Sequence, residues 1–273
     1  MKPQFKYDQP DPDYRKEKPQ LSQTTLKNIL SKSPAHAWES TQSHTDTPAM
    51  KLGRAAHCYV LEGEEIFNKT FITAPECNRR TKEGKAIYAE FVESAGDREV
   101  LSDSELKIVI AIAATLKANG LTKHLFINGK PEVSAFGQIN GVDIKGRFDY
   151  YHPEDQVIID LKTCIDASPK AVEKYIVNYG LHIQQYVYSE LHKNITENLP
   201  KDFIFVFVEK TAPYGVAVVR LNPKAVVLAK DETQKSIEIY QSCNQSGVWY
   251  GYPETVQEID LPAWHYKQKE LEK

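Results

Sequence analysis

The chain has 273 residues, of which 41% are hydrophobic and 26% charged, with a formal net charge of −3. That length holds one large domain or two small ones around a sizeable core, and the slight acidity means that any nucleic-acid surface must be a local basic patch. No apolar run approaches the ~18 residues of a membrane span, and the polar, Pro-rich start lacks the apolar core of a signal peptide, so a cytoplasmic protein with no membrane contact is expected. The four cysteines, Cys58, Cys77, Cys164 and Cys243, are scattered without a CxxC pair, a pattern that lacks zinc-site spacing, does not suggest a disulfide scaffold and predicts buried free thiols.

Residues 1–20 read as a flexible arm or a wrapping segment, since they carry several prolines and many charges without periodicity. A short helix is predicted over 22–33, with Leu26, Ile29 and Leu30 on one face, followed by a polar loop over 34–47. Thr47 and Pro48 then open a stronger helix to about 62, because Thr caps a helix start and Pro suits its first turn. Leu52, Ala56, Tyr59 and Val60 share a face there, with His57 beside them. A strand over 67–73, a polar loop over 75–85 and a helix over 84–94 follow. Ser102 and Glu105 form a capping box that opens a helix to about 118. Strands are predicted over 121–127 and 132–139, then two more over 144–151 and 157–161, joined by a turn at His152, Pro153, Glu154 and Asp155. Helices over 168–178 and 181–193, a hairpin of strands at 203–209 and 215–221, and a long helix over 223–245 complete the order. No repeat or internal linker is visible. The pattern predicts an α/β or α+β architecture, with residues 21–273 as a single domain behind the arm.

The chemistry concentrates at 145–163. Asp149 lies on the first strand of the central pair, and Asp160 and Lys162 on the second. Residues two apart on a strand point the same way, and an antiparallel partner brings Asp149 across from them. Buried without partners, such charges cost roughly several kcal/mol per ion, and a divalent cation is the natural compensation. An isolated D/E-x-K triplet carries little weight; Glu83, Gly84 and Lys85 form one in a polar loop. Asp160-Leu161-Lys162 differs because it ends an apolar strand beside a second acid.

This reading predicts two-metal phosphodiester hydrolysis. Asp149, Asp160 and the Leu161 backbone carbonyl supply oxygen ligands to Mg²⁺, with Mn²⁺ as a substitute. Lys162 orients the attacking water or offsets charge on the phosphorane. The competing reading is a surface salt bridge among the three, which would contribute little. His57 is a candidate nitrogen ligand, although a lone histidine on an amphipathic helix is more often simply packed. Glu132 either reaches the metals or binds a basic neighbour. Gln184 and Tyr188, four apart on a helix, face the same way; they hold a nucleotide or brace the lysine, or form an ordinary polar stripe.

Taken in order, these residues resemble the RecE (exonuclease VIII) type of phage recombination exonuclease, in the RecB-like branch of the PD-(D/E)XK nuclease superfamily. The stretches that carry the likeness are LSQTTLKNILSKSPAHAW and KLGRAAHCYVLEGEEIF, then PEVSAF and KGRFDYY, IIDLKT and HIQQYVY, and last VEKTAPYGVAVVRLNP and GVWYGYPETVQEIDLPAWH. The resemblance implies a restriction-endonuclease-like core, with a five-stranded mixed central sheet flanked by helices. It implies a Mg²⁺-dependent enzyme that resects linear double-stranded DNA from the 5′ end to leave 3′ overhangs. His57, Asp149 and Asp160 become metal ligands and Lys162 the catalytic lysine, with Gln184 and Tyr188 supporting it. It further implies a homo-oligomeric ring around DNA, a RecT-like single-strand annealing partner, and a phage or prophage origin in a bacterial host.

A ring would reconcile the acidic net charge with DNA, if Arg79, Arg80, Lys82, Lys85 and Lys145 line its inner surface. The alternatives are an endonuclease or another RecB-like DNA nuclease, or a catalytically silent DNA-end-binding module. The iron–sulfur version of that branch needs clustered late cysteines, and only Cys243 lies in the last hundred residues.

Overall fold

Alternating apolar residues in the middle of the chain build a sheet with helices on both faces. The computed structural model describes residues 2–18, 21–42, 46–262 and 266. In chain order these form β1 (Gln4–Lys6), α1 (Asp11–Lys16), α2 (Gln23–Ser31), α3 (Pro34–Gln42) and α4 (Pro48–His57), which runs into a π-helical turn at Cys58–Glu62. Then come α5 (Glu64–Thr70), β2 (Phe71–Thr73), α6 (Lys82–Ala95), β3 (Glu99–Leu101) and α7 (Asp103–Ala118). The central strands are β4 (Lys130–Ile139), β5 (Val142–His152) and β6 (Val157–Cys164). They are followed by α8 (Pro169–Tyr179), α9 (Leu181–Thr196), β7 (Asp202–Glu209), β8 (Val216–Val219) and α10 (Pro223–Ser246).

The main sheet has six strands in the order β1-β4-β5-β6-β7-β8, and β2 and β3 form a separate parallel pair. Only β6 and β7 run parallel in the main sheet. The expected five-stranded mixed sheet is therefore present as β4 to β8, with β1 added at its edge. Of the two readings of the N-terminal stretch, flexible arm or wrapping segment, residues 4–6 follow the second, since β1 pairs antiparallel with β4.

Strand alternation sends Phe148, Ile158, Phe205 and Phe207 to one face, where they meet Leu26 of α2, Val187 of α9 and Ile237 of α10. Ile159, Leu161, Ile204 and Val206 point the other way, against Ala55 and Ala56 of α4 and Ile112 of α7. The small residues of α4 let it approach the sheet closely; a Cβ on Gly53 would lie 3.5 Å from Thr163 Oγ1 of β6. The capping box forms as expected, with Ser102 Oγ accepting from the Glu105 N–H and the Glu105 carboxylate accepting from the Ser102 N–H.

Three further local expectations differ. Residues 34–42 form α3 rather than a loop, since Pro34 occupies its first turn and Ala37 is buried. Residues 67–73 divide between the end of α5 and β2. The strand expected at 121–127 is a series of turns; Asn119 Oδ1 accepts from the Leu121 and Thr122 N–H groups, and Thr122 Oγ1 donates to the Leu116 carbonyl, which turns the chain back on α7. All four cysteines are free; Cys58, Cys164 and Cys243 are buried as expected, whereas Cys77 is only partly buried. No helix among the described residues is long and apolar enough to cross a membrane. Residues 263–265, the end of the last family-like stretch, and positions 1, 19 and 20 of the arm lie outside the described residues.

Candidate active site

The site forms where β5 parts from β6. These strands pair at Tyr150 with Ile159, Tyr151 with Ile158 and His152 with Val157. One residue further on, a side chain replaces the ladder: Asp149 Oδ2 accepts the Leu161 N–H at 2.8 Å. From there β5 follows β4 while β6 follows β7, so the opening lies between two strands that are each held from the far side.

On β4, Glu132 falls between the pairs Pro131–Tyr150 and Val133–Phe148 and is left out of the ladder, with a φ of +50°. A left-handed conformation at a non-glycine residue costs about 1–3 kcal/mol and is concentrated at functional sites. Here it places the Glu132 carboxylate beside Asp149. His57 arrives from the last turn of α4, fixed by Thr47, whose side chain accepts from the Met50 N–H. The π-turn follows at once, a distortion found mostly at functional positions. His57 Nδ1 lies 3.7 Å from Asp149 Oδ2.

One ligand atom each from His57, Glu132 and Asp149 lie within 4.8 Å of one another. One nitrogen and two carboxylate oxygens in a partly buried setting suit a divalent cation. Asp160 stands outside this trio. Its carboxylate is held by the Lys162 ammonium and the Gln184 amide, and Lys162 Nζ also lies 3.7 Å from Asp149 Oδ2. The ammonium thus sits between the two aspartates. The Asp160 side chain is 1% exposed, whereas His57, Asp149 and Lys162 retain 22%, 14% and 19%, so the opening is lined by those three and Asp160 lies beneath.

Burial dominates the electrostatics. It pushes Glu132 up to about 8, with Asp149 adding to the rise, and Asp160 up to about 6, again with Asp149. Asp149 is raised by burial despite the opposing pull of Lys162. Burial, then Lys162, push His57 down to about 4, leaving a neutral imidazole able to act as a ligand. Burial opposes the charge on Lys162, but Asp160 and Asp149 outweigh it and hold the ammonium protonated. These are the electrostatics of an acidic cluster short of positive charge.

The sequence-derived candidates are therefore brought together with three changes of role. Glu132, not Asp160, completes the trio around His57 and Asp149, and it also serves a basic neighbour, with Arg147 Nε at 2.8 Å. Gln184 holds Asp160 rather than Lys162. Tyr188 is buried with its ring 5.2 Å from that of Phe148, and a Cβ on Gly146 would lie 2.7 Å from Tyr188 Cε1, so Tyr188 braces β5 rather than touching the lysine. The Leu161 carbonyl is placed beside the His57 ring.

Lys145 is a correction: it is 5% exposed and its ammonium donates to the carbonyls of Tyr14, Arg15 and Glu17, so it presents nothing to DNA. Arg79, Arg80, Lys82 and Lys85 are exposed, with the Arg79 guanidinium 4.1 Å over the Tyr88 ring. Sequence reasoning gives Arg147 no role, although it stands in the stretch KGRFDYY two before Asp149 and so on the same strand face.

A mixed central sheet with helices on both faces is the architecture of a PDDEXK-like fold. The chain belongs to the family of the PDDEXK-like domain of unknown function (DUF3799), whose model matches residues 22–262. Its fold is similar to that of a candidate exonuclease from Eubacterium rectale, with a TM-score of 0.64 at 14% identity over 96% of this chain and 98% of that one. A phage-related exonuclease from Haemophilus somnus 129PT is also similar, at 15% identity over 86% of this chain and 99% of that one, with a TM-score of 0.35 that is too low to weigh. At these identities the likeness concerns the fold alone. No curated protein matches the sequence.

Proposed function

We propose that the protein is a RecE-type exodeoxyribonuclease, which resects linear double-stranded DNA from the 5′ end to leave 3′ overhangs for phage-type recombination by strand annealing. The observation that carries this reading is the convergence of Asp149, Asp160 and Lys162 at the parting of β5 and β6, with His57 and Glu132 alongside.

His57, Glu132 and Asp149 would hold a divalent cation, Mg²⁺ with Mn²⁺ as a substitute, and Asp149 and Asp160 would share a second. Such ions polarise a phosphate and lower the pKa of a bound water. The chain's own residues do the rest. The Leu161 N–H fixes Asp149, and Gln184 fixes Asp160. Lys162, kept protonated by both acids, donates to the phosphate as charge builds on it. Water adds to phosphorus and gives up a proton to solvent, the P–O bond to the leaving nucleotide breaks, and the leaving oxygen takes a proton from solvent.

The exposed Arg79, Arg80, Lys82 and Lys85 would bind backbone phosphates, so binding should weaken with salt. A homo-oligomeric ring and a RecT-like annealing protein complete the proposal. The test is digestion of 5′-labelled linear duplex and covalently closed circular DNA, with and without Mg²⁺, by the wild type and Lys162→Ala. Loss of linear duplex alone, dependent on metal and lysine, supports the exonuclease. Nicking of closed circles favours the endonuclease, and inertness of both substrates favours a silent end-binding module.

A further inference from the structure

We infer that Arg147 is a positioning residue for the cation-binding trio and that residues 4–17 form the clamp that holds it, which makes the N-terminal segment a working part of the site. The inference rests on the reading of His57, Glu132 and Asp149 as a cation site.

Lys145, Arg147 and Asp149 alternate along β5 and so share a face. Two of the three Arg147 guanidinium nitrogens, Nη1 and Nη2, donate hydrogen bonds, and Nε pairs with Glu132 by charge and proximity alone. Nε lies 2.8 Å from the Glu132 carboxylate, Nη1 lies 3.2 Å from Asp11 Oδ1, and Nη2 donates to the Gln9 carbonyl at 2.9 Å. The Tyr14 ring lies beneath it, 5.3 Å from Cζ. One end of the fork grips a residue of the trio and the other end grips the N-terminal segment.

The segment is itself tied down around this point. The Lys145 ammonium collects the carbonyls of Tyr14, Arg15 and Glu17 at the end of α1. Lys6 and Gln9 both reach the Glu17 carboxylate, and β1 is paired to β4. Glu132 needs such help, because it lies outside the β4–β5 ladder in a left-handed conformation and Arg147 is its ion-pair partner. A planar guanidinium can join one acid to two further acceptors in fixed directions, which an ammonium cannot. Arg147→Lys therefore keeps the charge and loses the clamp.

The experiment titrates Mn²⁺ into the full chain without DNA, following free Mn²⁺ by electron paramagnetic resonance, with folding checked by circular dichroism. Residues that orient metal ligands typically change affinity by about 10–100-fold when replaced, so Arg147→Lys should bind Mn²⁺ at least about tenfold more weakly. Tyr14→Ala, which touches none of the trio, should weaken binding in the same direction and speed proteolysis within residues 2–18, while Tyr14→Phe behaves as wild type. Should Tyr14→Ala unfold the chain, the exposed substitution Asp11→Ala takes its place, with a smaller loss of the same sign. Wild-type affinity in both Arg147→Lys and the segment variant, with weakened binding in Asp149→Asn, overturns the inference and leaves the cation site standing. Wild-type affinity in Asp149→Asn overturns the cation site itself, and the inference with it.

Discussion

The Glu132 carboxyl carries the largest pH dependence expected of the metal-free site. Burial, then Asp149, push it from 4.5 to about 8. An acid raised on folding binds its proton more tightly in the native chain, so stability falls as pH rises between those two values. From pH 5 to pH 8 the loss is about 3 kcal/mol. His57 works in the opposite sense. Its value falls from 6.5 to about 4, so stability is lost as pH drops through that window, by about 2 kcal/mol at pH 5. Asp160, raised from 3.8 to about 6, adds about 1 kcal/mol in the direction of Glu132. Glu132→Gln isolates the first of these. Urea denaturation in EDTA at pH 5, 6.5 and 8 should show the wild type losing about 3 kcal/mol more than the variant across the range. At pH 8 the variant should be the more stable of the two. Mn²⁺ at about 100 times its dissociation constant should return about 2.7 kcal/mol to the wild type at pH 8, and less to Glu132→Gln. Parallel pH profiles for the two proteins would refute the assignment of Glu132 as a buried, cation-seeking acid.

Lys162→Met leaves Asp160, 1% exposed, without its cation. Breaking such a pair should cost about 3–5 kcal/mol in EDTA, read from the urea midpoint, and release of acid-soluble DNA should fall by roughly 100-fold or more. Gly146→Ala places a Cβ 2.7 Å from Tyr188 Cε1 and 3.0 Å from Leu191 Cδ1. It should destabilise by about 1–3 kcal/mol, and less when combined with Tyr188→Leu, in a double-mutant cycle. Ser102→Ala removes the cap of α7 and should cost about 1 kcal/mol, with Mn²⁺ affinity unchanged.

The central strands and the long helices were legible because their periodicity is set by local geometry. Asp149, Asp160 and Lys162 stood out as charges at the ends of apolar runs, and Gln184 as a polar residue on a buried helical face. Glu132 was only half legible: its backbone conformation and its place opposite Asp149 depend on the β4–β5 register, which no single stretch encodes. The N-terminal arm, flexible or wrapping, is undecided by its own sequence, which buries almost nothing. What orders it lies more than a hundred residues away, in Lys145 and Arg147. The basic residue Lys145 was assigned to DNA for the same reason, since charge alone does not reveal a carbonyl cage. At 121–127 the alternating Leu121, Leu125 and Ile127 suggested a strand, but the Asn119 side chain captures the N–H groups that a ladder would have used.

The three short pairings of β1, Gln4 with Phe136, Phe5 with Ala135 and Lys6 with Ser134, have a practical bearing on how the protein is handled. They cover the outer margin of β4, which would otherwise offer its amide and carbonyl row to any extended peptide. A chain shortened by its first half-dozen residues would be prone to strand exchange with its own copies, and aggregation in such a preparation would report a lost border rather than an unstable interior.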